Sequence, residues 1–245
     1  MYAYQTSTGL HSVELIAHNL WLRNWWVPDL ICDEIISVLP SDKLNFYHVN
    51  DDLTIDWSTV KIDGPSVLYS IDYFGEEQNL IGRHDQNVII VRDNVFADKP
   101  YSDVRPGQIW FNSLRKLVRG VTGSLILSSV SLGGVEASST QQLCLTYDEL
   151  SIRQDNHHTV SVLMPEFSIE HHPIIPTLYP LRLKNRDEVL SKLDFKLPGM
   201  WKNKYNLPNK LYQELTFLPL DSRFTRQELV TRCDRIRELA ECLSH

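Results

Sequence analysis

Short, unbroken apolar runs constrain this chain more than any other feature. Val67–Phe74 reads VLYSIDYF and stops at Gly75; Val88–Val91 reads VIIV and ends on the charged pair Arg92 and Asp93; Leu125–Leu127 follows a Thr-Gly turn. Runs of this kind fit strands buried on both faces, as in a parallel sheet with helices packed against it. In such sheets ligands gather at the carboxyl ends of strands. Asp93 stands at one such end, and Ser113-Leu-Arg-Lys116 lies in the connection leading to the next run. An acid, a hydroxyl and an amine are thereby offered to one crevice.

The surrounding segments suit the same class. Thr6-Ser-Thr-Gly9 precedes a stretch in which Leu10, Val13, Ile16, Ala17 and Leu20 recur at helical spacing. The Ser/Thr group is either a plain cap for an amphipathic helix or a helix start whose free N–H groups welcome a phosphate. Trp25-Trp-Val-Pro28 reads as a short strand running into a helix over DLICDEIISVL, and Leu44–Val49 alternates as a strand. Thr54–Ile62 reads as a short helix or an irregular crossover. Strands separated by such crossovers argue a mostly parallel α/β sheet. Beyond Gly134 the pattern changes. Leu143–Arg153 reads as a helix or an edge element, Val160–Met164 as a strand, and Ser168–Thr177 is rich in His and Pro. From Leu178 a strand leads into a helix, LTFLPL is another strand, and Ser222–Leu243 is an amphipathic helix. That order suits a small α+β domain. The reading divides the chain into a large domain over 1–134, a connecting region over 135–177 and a small domain over 178–245.

Composition excludes several classes. The net charge of −7, from 24 basic and 31 acidic residues, argues against a general grip on nucleic acid. No run approaches the eighteen or so apolar residues of a membrane span. The N-terminus lacks a basic region followed by an apolar one, and Cys32, Cys144, Cys233 and Cys242 show no C-x-x-C spacing. A reduced, cytoplasmic protein is the expectation.

Three chemistries compete for the polar residues. A lysine becomes a usable nucleophile when burial or neighbouring cations lower its pKa, and Lys116 has Arg115 and Arg119 nearby among Leu114, Leu117 and Val118. A lysine bound to pyridoxal phosphate needs an acid elsewhere to keep the pyridine nitrogen protonated, and Asp93 is placed for it. Ser113-x-x-Lys116 also matches the S-x-x-K of serine acyl-transfer enzymes, but their downstream S-D-N and K-T-G elements are missing. His157-His158 and His171-His172, with Asp155, Glu166 and Glu170, invite a metal. Adjacent histidines point different ways, so exposed polar loops are the simpler reading.

The order of segments resembles the DegT/DnrJ-type nucleotide-sugar aminotransferases, a branch of the fold type I pyridoxal-phosphate enzymes. STGLHSVELIAHNL, VPDLICDEI, KLNFYHVNDDLTIDW, IDYFG, VIIVRDNVFA and FNSLRKLVRGVTGSLILSS carry the resemblance over 1–132, and YPLRLKNRDEVLSKL and LTFLPLDSRFTRQELVTRCDRI over 178–243. It implies a three-layer large domain and a small C-terminal one. It further implies Lys116 as the Schiff-base lysine and Asp93 as the partner of the pyridine nitrogen, with Ser113 and the Thr8-Gly9 helix start facing the cofactor phosphate. The implied reaction moves an amino group, usually from glutamate, to a keto sugar on a nucleotide, in cell-surface polysaccharide or secondary metabolism. The implied assembly is a homodimer.

The chain departs from that pattern in places. It is shortened between Ser131 and Leu178. Leu30, Ile31 and Cys32 follow the VP segment where the family places a ring-stacking aromatic, and Phe96 stands where it has Gln or His. Thr122-Gly123-Ser124 replaces its Gly-Gly. The rival expectation is a degenerate, catalytically inactive relative that serves as a binding or scaffold protein.

Overall fold

The computed structural model describes residues 1–80, 87–100, 102–133 and 145–243. Seven strands form one sheet: β1 (Tyr2–Thr6), β2 (Asn24–Pro28), β3 (Leu44–Tyr47), β4 (Ser66–Ile71), β5 (Val88–Asp93), β6 (Gln108–Phe111) and β7 (Ser124–Ser128), in the order β1-β7-β6-β5-β4-β2-β3. The five strands from β3 to β6 are parallel, and β7 runs against both its neighbours. This is the mostly parallel α/β sheet the apolar runs imply. Every residue of β4, β5 and β6 is buried, so the centre of the sheet is covered on both faces.

Helix α1 (Gly9–Asn19) lays Val13, Ile16 and Ala17 into the core, and Thr8 caps it by accepting from the His11 N–H at 3.2 Å. Helix α2 (Asp33–Val38) follows β2 as expected and touches α1. The segment over 54–62 holds no helix and is the irregular crossover. Helix α3 (Leu114–Leu117) is a single turn between β6 and β7.

A second core lies between the antiparallel pair β8 (Leu178–Arg182) and β9 (Leu215–Pro219) and the helices α4 (Tyr147–Leu163), α5 (Arg186–Lys192) and α7 (Arg226–Cys242). Leu181, Leu218, Leu229, Cys233 and Ile236 are among its fully buried members. Short helix α6 (Leu211–Glu214) joins the two cores: Leu211, Tyr212, Leu215 and Phe217 pack with the large sheet. Helix α7 opens on a complete capping box, with Thr225 accepting from Glu228 N–H and Glu228 accepting from Thr225 N–H.

The structure corrects three readings. The Leu125–Leu127 run is a strand, but an antiparallel one, because the connection before it folds straight back: Asn112 N–H bonds Leu125 O at 3.2 Å and Leu114 N–H bonds Gly123 O at 2.9 Å. Gln108–Phe111, assigned no element from the sequence, is a strand that extends the parallel set. Val160–Met164 is the end of α4 and its cap rather than a strand. That helix buries Arg153, Asn156 and Thr159 beside Val160, so it has no apolar stripe to betray it. Its start carries a signal that the apolar pattern hides: Thr146 accepts from Glu149 N–H, the T-x-x-E of a helix start. The expected boundary at 134/135 and the first residues of the Leu143–Arg153 segment lie outside the described residues. So do Cys144 and the chain end over 244–245.

Leu218→Ala should destabilise the protein by about 2–5 kcal/mol, since the side chain is fully buried in the second core. Thr225→Ala should cost only about 0.5–2 kcal/mol through loss of the cap. Chemical denaturation of the two variants checks the ordering.

Candidate functional site

Parallel register brings the strand ends to one edge. Asp93, the last residue of β5, pairs with Ile71 at the end of β4 and with Phe111 at the end of β6. Asn94 N–H bonds Phe111 O at 3.0 Å, and Asp72 N–H bonds Asp93 O at 2.9 Å. Just past β6, Asn112 locks the turn: its amide donates to Ala97 O at 3.0 Å and its side-chain oxygen accepts from Leu125 N–H at 2.8 Å. Ser113 and α3 follow, which sets Lys116 beyond the same strand ends. Strand β1 runs the same way as β6, so its continuation through Thr6 to Gly9 also reaches this edge.

Asp93 is 5% exposed. Its Oδ2 accepts a hydrogen bond from the Tyr69 hydroxyl at 2.5 Å, while its Oδ1 is buried with no partner. Burial pushes the Asp93 carboxyl up to about 6, against the opposing pull of the Tyr69 hydrogen bond, the Lys116 charge and the Val95 backbone N–H. Tyr69 is fully buried between the rings of Trp25 and Phe111, and Tyr47 O–H donates to its carbonyl at 2.8 Å. Nothing about Tyr69 stood out in the sequence. The signal was parity: on β4 it lies two residues before Ile71, which pairs with Asp93, so both side chains share a face.

Lys116 is exposed as a residue. Protein around its amine nevertheless lowers its pKa, and Arg115 adds to the effect while Asp93 opposes it, with Cys32 in the same neighbourhood. Amine, carboxylate and thiol thus form one electrostatic neighbourhood. The Cys32 thiol, which donates to Glu34 Oε2 at 3.0 Å, is pushed up to about 12 by burial and by that carboxylate, so it stays neutral and is no thiolate nucleophile. The backbone beside Cys32 is held tightly: Ile31 N–H donates to the Tyr212 hydroxyl at 2.8 Å, and that hydroxyl donates to Ile31 O at 2.6 Å. Asp29 accepts from Val49 N–H and from Asn209, anchoring the same turn.

Ser113 Oγ is buried and without a hydrogen-bond partner. It abuts Gly9, where an added Cβ would stand 3.2 Å from Ser113 Cβ, so any larger residue would make Ser113 or the start of α1 give by a few tenths of an ångström. A helix of this length presents free N–H groups and a partial positive charge at its first turn. Thr8 spends its hydroxyl on capping that helix. A buried hydroxyl and a helix start therefore meet beside Lys116 and can hold an anion. Ser113 Oγ makes no bond to Lys116, so the acyl-transfer reading lacks the base that would take its proton. Asn94, fully buried with both side-chain amide atoms unpartnered, is a further polar group at this edge that the sequence reading overlooked.

The histidine pairs are not the exposed loop residues the sequence suggests. His171 is buried, and its ring lies 4.9 Å from that of His157 on α4, with Tyr179 completing the cluster. Each pair splits, one ring inward and one outward, as the opposed directions of neighbours require. No group of three metal-ligating side chains exists among the described residues. A cavity of about 380 Å³ lined by Glu76, Glu77, Glu170 and His172 lies nearby, but Asp93, Ser113 and Lys116 do not line it. No helix among the described residues is long and apolar enough to cross a membrane.

Asp93→Asn tests the electrostatics of the site directly. A carboxyl raised to about 6 keeps its proton in the folded state at pH values where the unfolded chain has released it. Its contribution to stability is therefore full below the ordinary carboxylate range and is lost as pH rises to about 6. The asparagine variant should lose this dependence and melt above wild type at pH 7.5, by on the order of 2 kcal/mol, with the gap closing below pH 4. Thermal melts at both pH values check it; equal melting at pH 7.5 would contradict the buried, strained carboxyl.

No protein-family model and no curated protein matches this sequence. Solved structures do. DesV from S. venezuelae superposes with a TM-score of 0.74 at 13% identity, over 98% of this chain and 85% of that one. A Streptococcus pneumoniae protein solved in its PLP form gives 0.72 at 12% identity, over 98% and 87%. Helicobacter pylori PseC, an aminotransferase involved in the biosynthesis of pseudoaminic acid, gives 0.71 at 12%, over 99% and 87%. The chain has the fold of these aminotransferases.

Proposed function

We propose that this protein is a pyridoxal-phosphate-dependent aminotransferase acting on a nucleotide-linked keto sugar. The observation that carries the reading is a pair of buried, unpartnered oxygens, Asp93 Oδ1 and Ser113 Oγ, at the sheet edge that also bears Lys116. Unpaired buried polar atoms are costly, and each of these matches one end of the cofactor. Asp93 Oδ1 would take the protonated ring nitrogen, whose charge would relieve a carboxyl that burial now holds up at about 6. Ser113 Oγ and the first turn of α1, with Thr8 as its cap and Gly9 allowing the approach, hold the phosphate.

Lys116 then takes two roles. Its lowered pKa raises the share of neutral amine, which is the form that attacks a carbonyl. The same amine is placed to hold or move a proton at the substrate carbon. Bound between these residues, pyridoxal phosphate supplies an electron sink for charge developing on the substrate carbon. Tyr69 fixes the Asp93 carboxylate, leaving Oδ1 as the oxygen open to a further donor. In this reading residues 1–134 form the cofactor domain and 178–245 the small domain of a cytoplasmic homodimer, with glutamate as the usual amino donor.

One observation favours a second reading. A neutral thiol, Cys32, stands in the electrostatic neighbourhood of Lys116 and Asp93, after the VP segment where a ring-stacking aromatic belongs in a working enzyme of this kind. An inactive relative that binds the cofactor weakly, or serves as a scaffold, fits that thiol. Absorbance titration of purified protein with pyridoxal phosphate separates the two. The enzyme reading expects a saturable yellow band that Lys116→Ala abolishes and that Ser113→Ala weakens about tenfold or more, the worth of a hydrogen bond to a charged group. A wild type that stays colourless at millimolar cofactor would remove the enzyme reading.

A further inference from the structure

Lys116 rides on a helix of one turn, α3, which has no cooperative stability of its own. Its N-cap residue, Ser113, makes no capping bond with its side chain. At the other end the carbonyl of Leu117, next to Lys116, would ordinarily be an orphan acceptor. It is not: Arg153 of α4 donates from Nη2 to Leu117 O at 2.7 Å. Arg153 is 4% exposed, and its other nitrogens are engaged as well, Nε with Glu149 Oε1 at 2.6 Å and Nη1 with Thr177 Oγ1 at 3.1 Å. The Asp221 carboxylate after β9 also feels its charge, and Ser222 bonds Glu149. The guanidinium therefore stands where α3, α4, the segment entering β8 and the segment leaving β9 meet. A rigid, planar fork with five donors can tie all of these at once; an ammonium cannot.

We infer that Arg153 is a positioning residue for Lys116: by holding the Leu117 carbonyl it fixes the one-turn helix that aims the amine, and it couples that aim to the second core. The role rests on the cofactor reading only for its purpose, since the contact to Leu117 exists whatever the amine does. It also accounts for one of the polar residues that α4 buries. Arg153 lies on the buried face of α4 because it serves a turn in the other core.

Two measurements test the inference separately from the cofactor. The first labels purified protein with acetic anhydride across pH and follows acetylation of Lys116 by peptide mass spectrometry. Arg153→Met, which keeps the bulk, should move the Lys116 midpoint upward toward that of a free lysine, because a loosened turn lets water reach the amine. Arg153→Lys keeps the charge without the fork and should fall between, and it answers the question if the methionine variant does not fold. Arg182→Met, which severs surface bonds to Glu214 and Asp51 in the same region, should leave the midpoint where it is. The second measurement titrates pyridoxal phosphate, for which both Arg153 variants should bind at least tenfold more weakly than wild type. Folded Arg153 variants whose Lys116 labels as in wild type overturn the inference. A wild type that binds no pyridoxal phosphate, with the labelling shift still present, overturns the cofactor reading alone.

Discussion

A single buried hydrogen bond, from the Tyr69 hydroxyl to Asp93 Oδ2, is what the site is built around. A lone carboxyl at the end of a fully buried strand is expensive to ionise, and the raised pKa of Asp93 records that cost. The phenol offsets part of it and, by occupying one oxygen, leaves the other free in a fixed direction. Tyr69 can do this because Trp25 and Phe111 wedge its ring and because β4 and β5 are parallel and in register. Slipping that register by one residue would turn both side chains to the opposite face. The packing of the sheet centre and the chemistry of its edge are therefore one constraint.

The chain beyond the large sheet matters to the site through polar contacts more than through bulk. Tyr212 and Asn209 hold the turn after β2, the first through Ile31 and the second through Asp29. Arg153 holds the turn after β6 through Leu117. These contacts join residues more than thirty positions apart in the chain to two loops that flank Asp93. Buried polar groups of this kind lower the tolerance of a structure to change, since removing one partner strands the other. They also fix geometry in a way that apolar contacts do not.

Much of this was legible in the residues, for physical reasons that can be named. VIIV and VLYSI announce buried strands because nothing polar interrupts them, and Asp93 announces a strand end because a charge does. The strand-to-helix step at Leu178 and the C-terminal helix follow their apolar spacing. What stayed hidden was structure whose pattern is not apolar. Helix α4 packs Arg153, Asn156 and Thr159 inward and so reads as polar chain. The antiparallel sense of β7 depends on hydrogen bonds between the two limbs of a turn, which no periodicity records. Tyr69 and Asn94 acquire meaning only when strand register places them beside Asp93. His157 and His171 sit fourteen positions apart and meet only through the packing of α4 against the chain entering β8.

If the sheet edge sets Lys116 apart, one amine in this chain reacts with pyridoxal phosphate before every other. Reduction with borohydride after incubation with pyridoxal phosphate, followed by peptide mapping, tests it most directly. A single modified residue, Lys116, is expected at substoichiometric cofactor. Label spread over the surface lysines, with Lys116 no more modified than Lys184 or Lys202, would contradict it.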